Sequence, residues 1–221
     1  MSEEKSKFTL KKKQIRHFFM HLSTEEKEKN EIQTLHEEII NVGMKYKQMT
    51  LPVANITDEF EKEIQKEVDH NILKAKIREA SKSDLRSVMY LYNRAWMTSN
   101  TPFSPISIDS LERIYEYSEI VILVAKVFGE DAGFVILDFE GHDHEYGIIA
   151  GLGVLPRYQR KGLGTVLGMA AWNYFKKANV REIRCEVYVK NIVSYEFIKS
   201  LGFKEQETRT YNYGELELKE V

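Results

Sequence analysis

Hydrophobic residues change their spacing near residue 70 of the chain. Before that point, apolar side chains recur at steps of three and four residues, which is the spacing of one helix face. They form two stripes, separated by Leu51-Pro52-Val53: Ile32, Leu35, Ile39, Val42 and Tyr46, then Phe60, Ile64 and Val68. The pattern therefore predicts a helical N-terminal extension over residues 1–71.

The remainder of the chain, residues 72–221, alternates between strand and helix patterns. Short runs of β-branched and aromatic residues, separated by turn residues, predict the strands. The predicted strands are 73–80, 120–127, 132–139, 146–155 and 183–189, with a final pair of strands from residue 204 onward. The predicted helices are 83–95, 107–117, 163–177 and 192–201. This stretch is long enough for one domain.

Composition and charge restrict the class of protein. Hydrophobic residues make up 43% of the 221, which is enough for a substantial core. Basic and acidic residues nearly balance, at 32 and 34, so the charge argues against a nucleic-acid partner. The basic cluster Lys11–Arg16 is interpreted as a solvated helix face, although an anionic partner would also suit it. Without a secretory signal or an apolar run long enough for a membrane helix, we expect a cytoplasmic protein.

One segment, residues 152–165, carries the most specific chemical information. A strand pattern ends at Pro156, a short basic loop follows, and Gly162 and Gly164 open an apolar helix. A helix N-terminus presents backbone N–H groups without intrahelical partners and a partial positive charge, and glycines allow a phosphate to approach closely. The segment therefore predicts a binding site for a pyrophosphate.

The spacing within this segment resembles the coenzyme A loop of the GNAT N-acetyltransferase superfamily. The loop reads Gln159-x-x-Gly162-x-Gly164 and is preceded by Val154-x-Pro156. A second signature follows, since Asn191-x-x-Ser194 opens a helix pattern that ends in Leu-Gly-Phe at 201–203. The opening Ile-Arg-Glu-Ala-x-x-x-Asp at 77–84 is also typical of the family. The resemblance covers residues 72–221 and leaves residues 1–71 outside it.

The resemblance implies an α+β fold with a mixed, mostly antiparallel central sheet flanked by helices. It also implies acetyl-CoA as cosubstrate, with the pantetheine arm inserted between two strands that separate, and no metal. The implied cofactor-binding residues are Leu152, Gly153, Val154, Gln159, Arg160, Lys161, Gly162, Leu163, Gly164, Thr165, Asn191 and Ser194. A simple N-cap role for Asn191 is compatible with this.

The implied reaction is direct attack of an amine on the thioester, with an amine acceptor that is a small molecule or a peptide. The family often places a proton-donating tyrosine where this chain has Ile198, so Tyr195, three residues earlier, is the candidate acid. Glu145 is the candidate base, with Asp138 and Glu140 as alternatives. A catalytically degenerate CoA-binding protein is the competing hypothesis, and Ile198 favours it.

Three further expectations concern metal, partners and the acceptor site. His142-x-His144-Glu145 could in principle hold zinc, but the sequence has no further ligand with partner spacing, so no metal is expected. The narrow stripes of the N-terminal helices need a surface to pack on, which leaves a homodimer through these helices open. Aromatic residues in 96–103 and 208–214 are expected to shape the acceptor site.

Overall fold

The computed structural model describes residues 43–69, 73–99, 101 and 105–212. Seven strands of the described residues form one sheet, in the order β2-β3-β4-β5-β6-β1-β7. The strands are β1 (Met44–Pro52), β2 (Lys76–Glu79), β3 (Val121–Val127), β4 (Glu130–Glu140), β5 (Tyr146–Val154), β6 (Glu182–Tyr188) and β7 (Lys204–Tyr211). The helices are α1 (Asp58–Asp69), α2 (Leu85–Trp96), α3 (Ile108–Tyr115), α4 (Leu163–Lys177) and α5 (Ile192–Ser200).

The sheet is mixed, as predicted. Its neighbouring strands pair antiparallel except β5 and β6, which pair parallel. A parallel pair requires a crossover, and helix α4 supplies it between β5 and β6. The predicted fold class is confirmed.

Helices cover the two faces of the sheet with two separate apolar clusters. On one face, α2 and α3 pack against β3 and β4 through residues such as Leu91, Ile122 and Phe134. On the other face, α1 and α4 pack through a larger cluster that includes Ile64, Trp172 and Phe175. None of the helices in the described part of the chain has the length and apolar character of a membrane span.

Strand β1 corrects the predicted N-terminal extension. Residues 44–52 are a strand that pairs antiparallel with both β6 and β7, so the helix predicted through Tyr46 is wrong. Its hydrophobic spacing is irregular because the buried side of the strand changes along its length. Met44 and Tyr46 are buried on one side, and Met49 and Leu51 are buried on the other. The helix predicted around Phe60 and Ile64 is confirmed as α1. The rest of the predicted extension, residues 1–42, lies outside the described residues.

Candidate active site

A cleft opens where β5 and β6 separate. The two strands pair only from Tyr146↔Glu182 to Ile149↔Cys185, and the following residues of each strand continue without pairing to the other. The cleft has a volume of about 1250 Å³. Typical small-molecule pockets measure roughly 300–1,000 Å³, so this cleft has room for a large ligand.

The N-terminus of α4 faces this cleft. Gly162 is its N-cap, with φ at 77°, which is left-handed backbone that glycine adopts without strain. Arg160 has φ at 56°, so the loop turns sharply twice before the helix begins. The first backbone N–H groups of a helix have no intrahelical acceptors, and they carry the positive end of the dipole. This end of α4 can therefore bind an anion.

Gln159 fastens the loop to the end of β5. Its Nε2 donates to the carbonyl oxygen of Val154 at 3.0 Å and to Oγ1 of Thr98 at 3.3 Å. The Gln159 side chain therefore orients the loop, and both protein contacts lie on the wall of the cleft.

The three basic residues of the loop differ in their placement. Arg160 lines the cleft, whereas Lys161 is exposed outside its lining. Arg157 forms an ion pair with Glu130 at 2.5 Å, and its guanidinium lies 5.2 Å from the ring centroid of Tyr158. Arg157 is therefore paired with Glu130 and lies outside the residues that line the cleft.

Helix α5 closes the cleft beside α4. Asn191 is its N-cap, because Oδ1 accepts from the backbone N–H of Ser194 at 3.0 Å, while Nδ2 donates to Thr101 at 2.7 Å. A Cβ on Gly164 would stand 3.2 Å from the ring of Phe197, so a larger residue there would require that ring on α5 to shift. Gly164 and Asn191 both line the cleft at this end.

Most residues predicted to bind CoA come together along this cleft. The lining includes Leu152, Gly153, Val154, Gln159, Arg160, Gly162, Gly164, Thr165, Asn191 and Ser194. The side chain of Leu163 is buried in the core, and Lys161 is exposed, so these two residues could contact a cofactor only through their backbone or by a rearranged side chain.

Tyr195 points away from the cleft. Its hydroxyl donates to Glu205 at 2.8 Å, and Nζ of Lys47 lies 4.1 Å from its ring centroid. Ile198 lines the cleft instead. Positions three apart on a helix differ by about 60° in direction, which is enough here to separate the two side chains. The structure does not support Tyr195 as the acid.

Glu145 lies at the opposite end of β5 from Val154 and the glycine loop. Its carboxylate accepts from Arg181 at 3.1 Å, outside the residues that line the cleft. It precedes the strand that leads to Val154, and nine extended residues span roughly 30 Å. In the structure, Glu145 therefore forms an ion pair with Arg181 and lies far along β5 from the residues that line the cleft near Val154. Nearby, His142 and His144 lie in an exposed turn.

Strand β1 contributes residues that the sequence patterns did not indicate. Tyr46, Gln48 and Thr50 line the cleft opposite α5. Tyr46 is 5% exposed, and its hydroxyl has no hydrogen-bond partner among the described residues. Burial raises the pKa of Tyr46, with a further contribution from Glu186, so its hydroxyl stays protonated. These residues were missed because β1 was predicted as helix.

The residues predicted to shape the acceptor site lie partly within the described chain. Trp96 lines the cleft and stacks on Tyr92 with ring centroids 4.5 Å apart. Tyr211 donates to Glu186 at 2.6 Å. Phe103 and Tyr213 are outside the described residues. Cys185 is buried, which raises the pKa of its thiol and suits a packing role.

Comparison with known proteins agrees with this architecture. The sequence profile of the Acetyltransferase (GNAT) family matches residues 85–203, which is more than half of the chain. An N-alpha-acetyltransferase of Sulfurisphaera tokodaii is 30% identical over 150 residues, covering 63% of this chain and 86% of the relative.

Solved structures give the same fold. AAC(6')-Iy in complex with a CoA-containing bisubstrate analogue superposes with a TM-score of 0.53 at 22% identity, over 63% of this chain and 96% of that one. The PaiA N-acetyltransferase of Thermoplasma acidophilum in complex with coenzyme A has a TM-score of 0.52 at 22% identity, over 63% of this chain and all of that one.

The protein belongs to the GNAT acetyltransferase family. It is an acyl-CoA N-acyltransferase, as the resemblance of the glycine loop implied.

Proposed function

We propose that the protein transfers an acetyl group from acetyl-CoA to a primary amine of a peptide or small molecule, by direct attack in a ternary complex. The separation of β5 from β6 beside the N-terminus of α4 carries this proposal. This arrangement offers an anion site at one end of the cleft and unpaired strand edges at the other. A long ligand with a phosphate end and an amide-containing arm suits both.

The chain's residues suit coenzyme A in detail. Backbone N–H groups from Arg160 to Thr165 would hold the pyrophosphate at the start of α4, with the Arg160 guanidinium as counter-charge. The edge of β5 at 152–154 has no β6 partner and would pair with the amides of the pantetheine arm. Acetyl-CoA supplies the activated acyl group. A strand N–H in the same segment would stabilise the negative charge that develops on the carbonyl oxygen.

A peptide α-amine is the acceptor that we favour. The S. tokodaii relative carries the name of an N-alpha-acetyltransferase. The cleft also continues across the polar faces of β6, β1 and β7, where residues such as Gln48, Arg184 and Arg209 are accessible. An extended polar surface of this kind accommodates several residues of a peptide.

A CoA-binding protein without turnover is the alternative. Ile198 occupies the position where the family often has a tyrosine, and Tyr195 is held elsewhere by Glu205. This alternative requires that no other group of the chain handles the protons of the reaction.

Thiol release from acetyl-CoA distinguishes the two functions. We expect release that depends on both protein and acceptor, tested with peptides bearing free N-terminal Ser, Ala or Met and with neamine. Thermal stabilisation by CoA should accompany it, because a ligand that binds only the folded state raises stability. Stabilisation by CoA without thiol release from any acceptor would favour the alternative.

A further inference from the structure

Strand β1 places a buried hydroxyl group without a protein partner beside the cleft. Tyr46 lines the cleft and is 5% exposed, and its hydroxyl has no hydrogen-bond partner among the described residues. Buried polar groups in proteins normally have a partner, because an unpaired one lowers stability. A group of this kind in a cleft is one that a bound ligand can satisfy.

A second buried and unpaired group shows why the position of Tyr46 matters. The indole N–H of Trp172 also has no partner among the residues that the structure describes, but Trp172 belongs to the large apolar cluster and does not line the cleft. The Tyr46 hydroxyl is therefore the better placed of the two to meet a ligand.

Neighbouring aromatic rings pack on the Tyr46 side chain. Its ring centroid lies 5.5 Å from that of Tyr188 on β6 and 5.9 Å from that of Tyr211 on β7. Tyr46 is directly opposite Tyr188 in the antiparallel pairing, so the two side chains share one face of the sheet. The Tyr211 hydroxyl is already engaged, since it donates to Glu186 at 2.6 Å. Of the Tyr46 and Tyr211 hydroxyls, that of Tyr46 remains for a ligand.

The surroundings of the hydroxyl select an uncharged oxygen as its partner. Burial raises the pKa of Tyr46, and the charge of Glu186 raises it further, so the hydroxyl keeps its proton and acts as a donor. The same carboxylate would repel an anionic ligand group. An amide carbonyl oxygen accepts a hydrogen bond without carrying a charge. The ligand atom that suits Tyr46 is therefore an amide carbonyl oxygen.

The strand order assigns this carbonyl to the acceptor rather than to the cofactor. Strand β6 lies between β5 and β1, so Tyr46 is on the far side of β6 from the free edge of β5 that we expect to pair with pantetheine. Tyr46 also lies outside residues 85–203, which match the family profile. The hydroxyl is therefore supplied by β1 and not by the part of the chain that the family profile describes.

We propose that Tyr46 binds the acceptor, and that its hydroxyl donates a hydrogen bond to the carbonyl oxygen of the first residue of an acceptor peptide. This assignment rests on the proposed transfer to a peptide amine. Solvent does not reach the hydroxyl, so side chains of the cleft wall shift as the peptide enters, as commonly happens at binding surfaces. The contact favours acceptors that carry a carbonyl group next to the amine-bearing carbon over simple alkylamines.

A single-atom change in the acceptor tests this contact. Replacing the first carbonyl oxygen of the fastest acceptor peptide by sulfur gives a thioamide, which is a weaker hydrogen-bond acceptor. The ratio of kcat/KM for the peptide to kcat/KM for its thioamide should be about three- to tenfold larger in the wild type than in Tyr46→Phe, the range for one uncharged hydrogen bond. CoA affinity of Tyr46→Phe, measured by calorimetry, should stay within about twofold of wild type.

Tyr195→Phe is the matched control. It also removes a tyrosine hydroxyl, but this hydroxyl donates to Glu205 and lies outside the cleft lining, so turnover and the thioamide ratio should both stay at the wild-type values.

Urea denaturation adds a measurement that needs no substrate. Tyr46→Phe should keep or raise the urea midpoint, because it removes a buried hydroxyl that has no partner among the described residues. Tyr211→Phe should lower the midpoint, because it removes the hydrogen bond to Glu186.

The possible failures differ in what they overturn. A wild-type thioamide ratio in Tyr46→Phe would show that the hydroxyl does not contact the acceptor carbonyl. A loss of CoA affinity of about tenfold in this variant would assign the hydroxyl to the cofactor, and a lower urea midpoint would assign it to the protein's own packing. Each of these results would overturn the inference and leave the proposed transfer standing. If the wild-type protein binds CoA but acetylates no peptide, the proposed transfer to a peptide amine itself fails.

Discussion

The two halves of the central sheet differ in the burial and polarity of their side chains. Strands β3 and β4 are buried over most of their length and are packed by helices. Strands β6, β1 and β7 instead turn polar and charged side chains toward the cleft. The family match ends at residue 203 and begins at 85, so it includes β3–β6 but neither β1 nor β7. We infer that the strands within the family match, β3–β6, bind the cofactor. We infer that β1 and β7, which lie outside the match, add the residues that select the acceptor.

The largest effect should follow a change at the cofactor end. Gly164→Glu adds bulk where even a Cβ would stand 3.2 Å from Phe197, and it adds negative charge at the predicted pyrophosphate site. We expect CoA affinity to fall by at least about 100-fold, equal to about 2.7 kcal/mol, and the thermal shift with CoA to disappear. Asn173→Glu, on the exposed side of the same helix, should leave that shift unchanged. A normal shift in Gly164→Glu would move the cofactor site elsewhere.

A core change in β1 tests whether the second half of the sheet is integral to the fold. Met49 is 0% exposed, and Met49→Ala should lower the free energy of unfolding by about 2–4 kcal/mol, measured by urea denaturation. Lys45→Ala on the same strand is the control, since Lys45 is exposed and should cost under about 0.5 kcal/mol. Equal stability in both variants would show that β1 contributes no core packing.

A smaller effect is expected at the junction of β2 and α2, at the opposite edge of the sheet from β7. Asp84 accepts from Arg78 and from the backbone N–H of Ser81, and the Arg78 guanidinium, with Ser81, holds the pKa of Asp84 well below its usual range. Asp84→Asn should therefore cost about 1 kcal/mol at pH 7.

The pH dependence of that difference follows from the depressed pKa. Ionised Asp84 makes its full contribution to the free energy of unfolding above the pKa it has in the unfolded chain, which is about 4. That contribution is lost as the pH falls below this value. Urea denaturation from pH 7 to pH 2.5 should show the wild type and Asp84→Asn converging in stability. A difference that stays constant over this range would exclude the ion pair as its cause.

The smallest effects should come from two residues that lie outside the cleft lining. Glu145→Gln removes only the contact with Arg181, and Tyr195→Phe removes only the hydroxyl bonded to Glu205. We expect both variants to keep kcat/KM within about twofold of wild type, because neither side chain touches the predicted reacting groups. A loss of tenfold or more in either would restore that residue to the mechanism.

The local elements of the cofactor half could be predicted closely from the sequence. Helix α4 has the predicted bounds because a left-handed glycine starts it and lysines end it, and both signals are local. Strand β5 likewise ends where Pro156 cannot continue the ladder. Each of these boundaries is determined by residues within a few positions of it.

Strand β1 and its contacts could not be predicted because they join distant segments, whereas the strands at 183–189 and from residue 204 were predicted. Tyr46 meets Tyr188 and Tyr211 only after β1 inserts between β6 and β7. The spacing of Val42 and Tyr46 also suited a helix, and the change of buried side along β1 hid the alternation of a strand. The resemblance to the family supplied Tyr195 as a candidate, but a 60° difference in direction on α5 decides which side chain reaches the cleft.

Calorimetric titration of the wild-type protein with CoA tests the central claim most directly. If the start of α4 and the free edge of β5 together form the cofactor site, CoA should bind with one-to-one stoichiometry and micromolar or tighter affinity. Absence of binding at millimolar CoA would contradict the account.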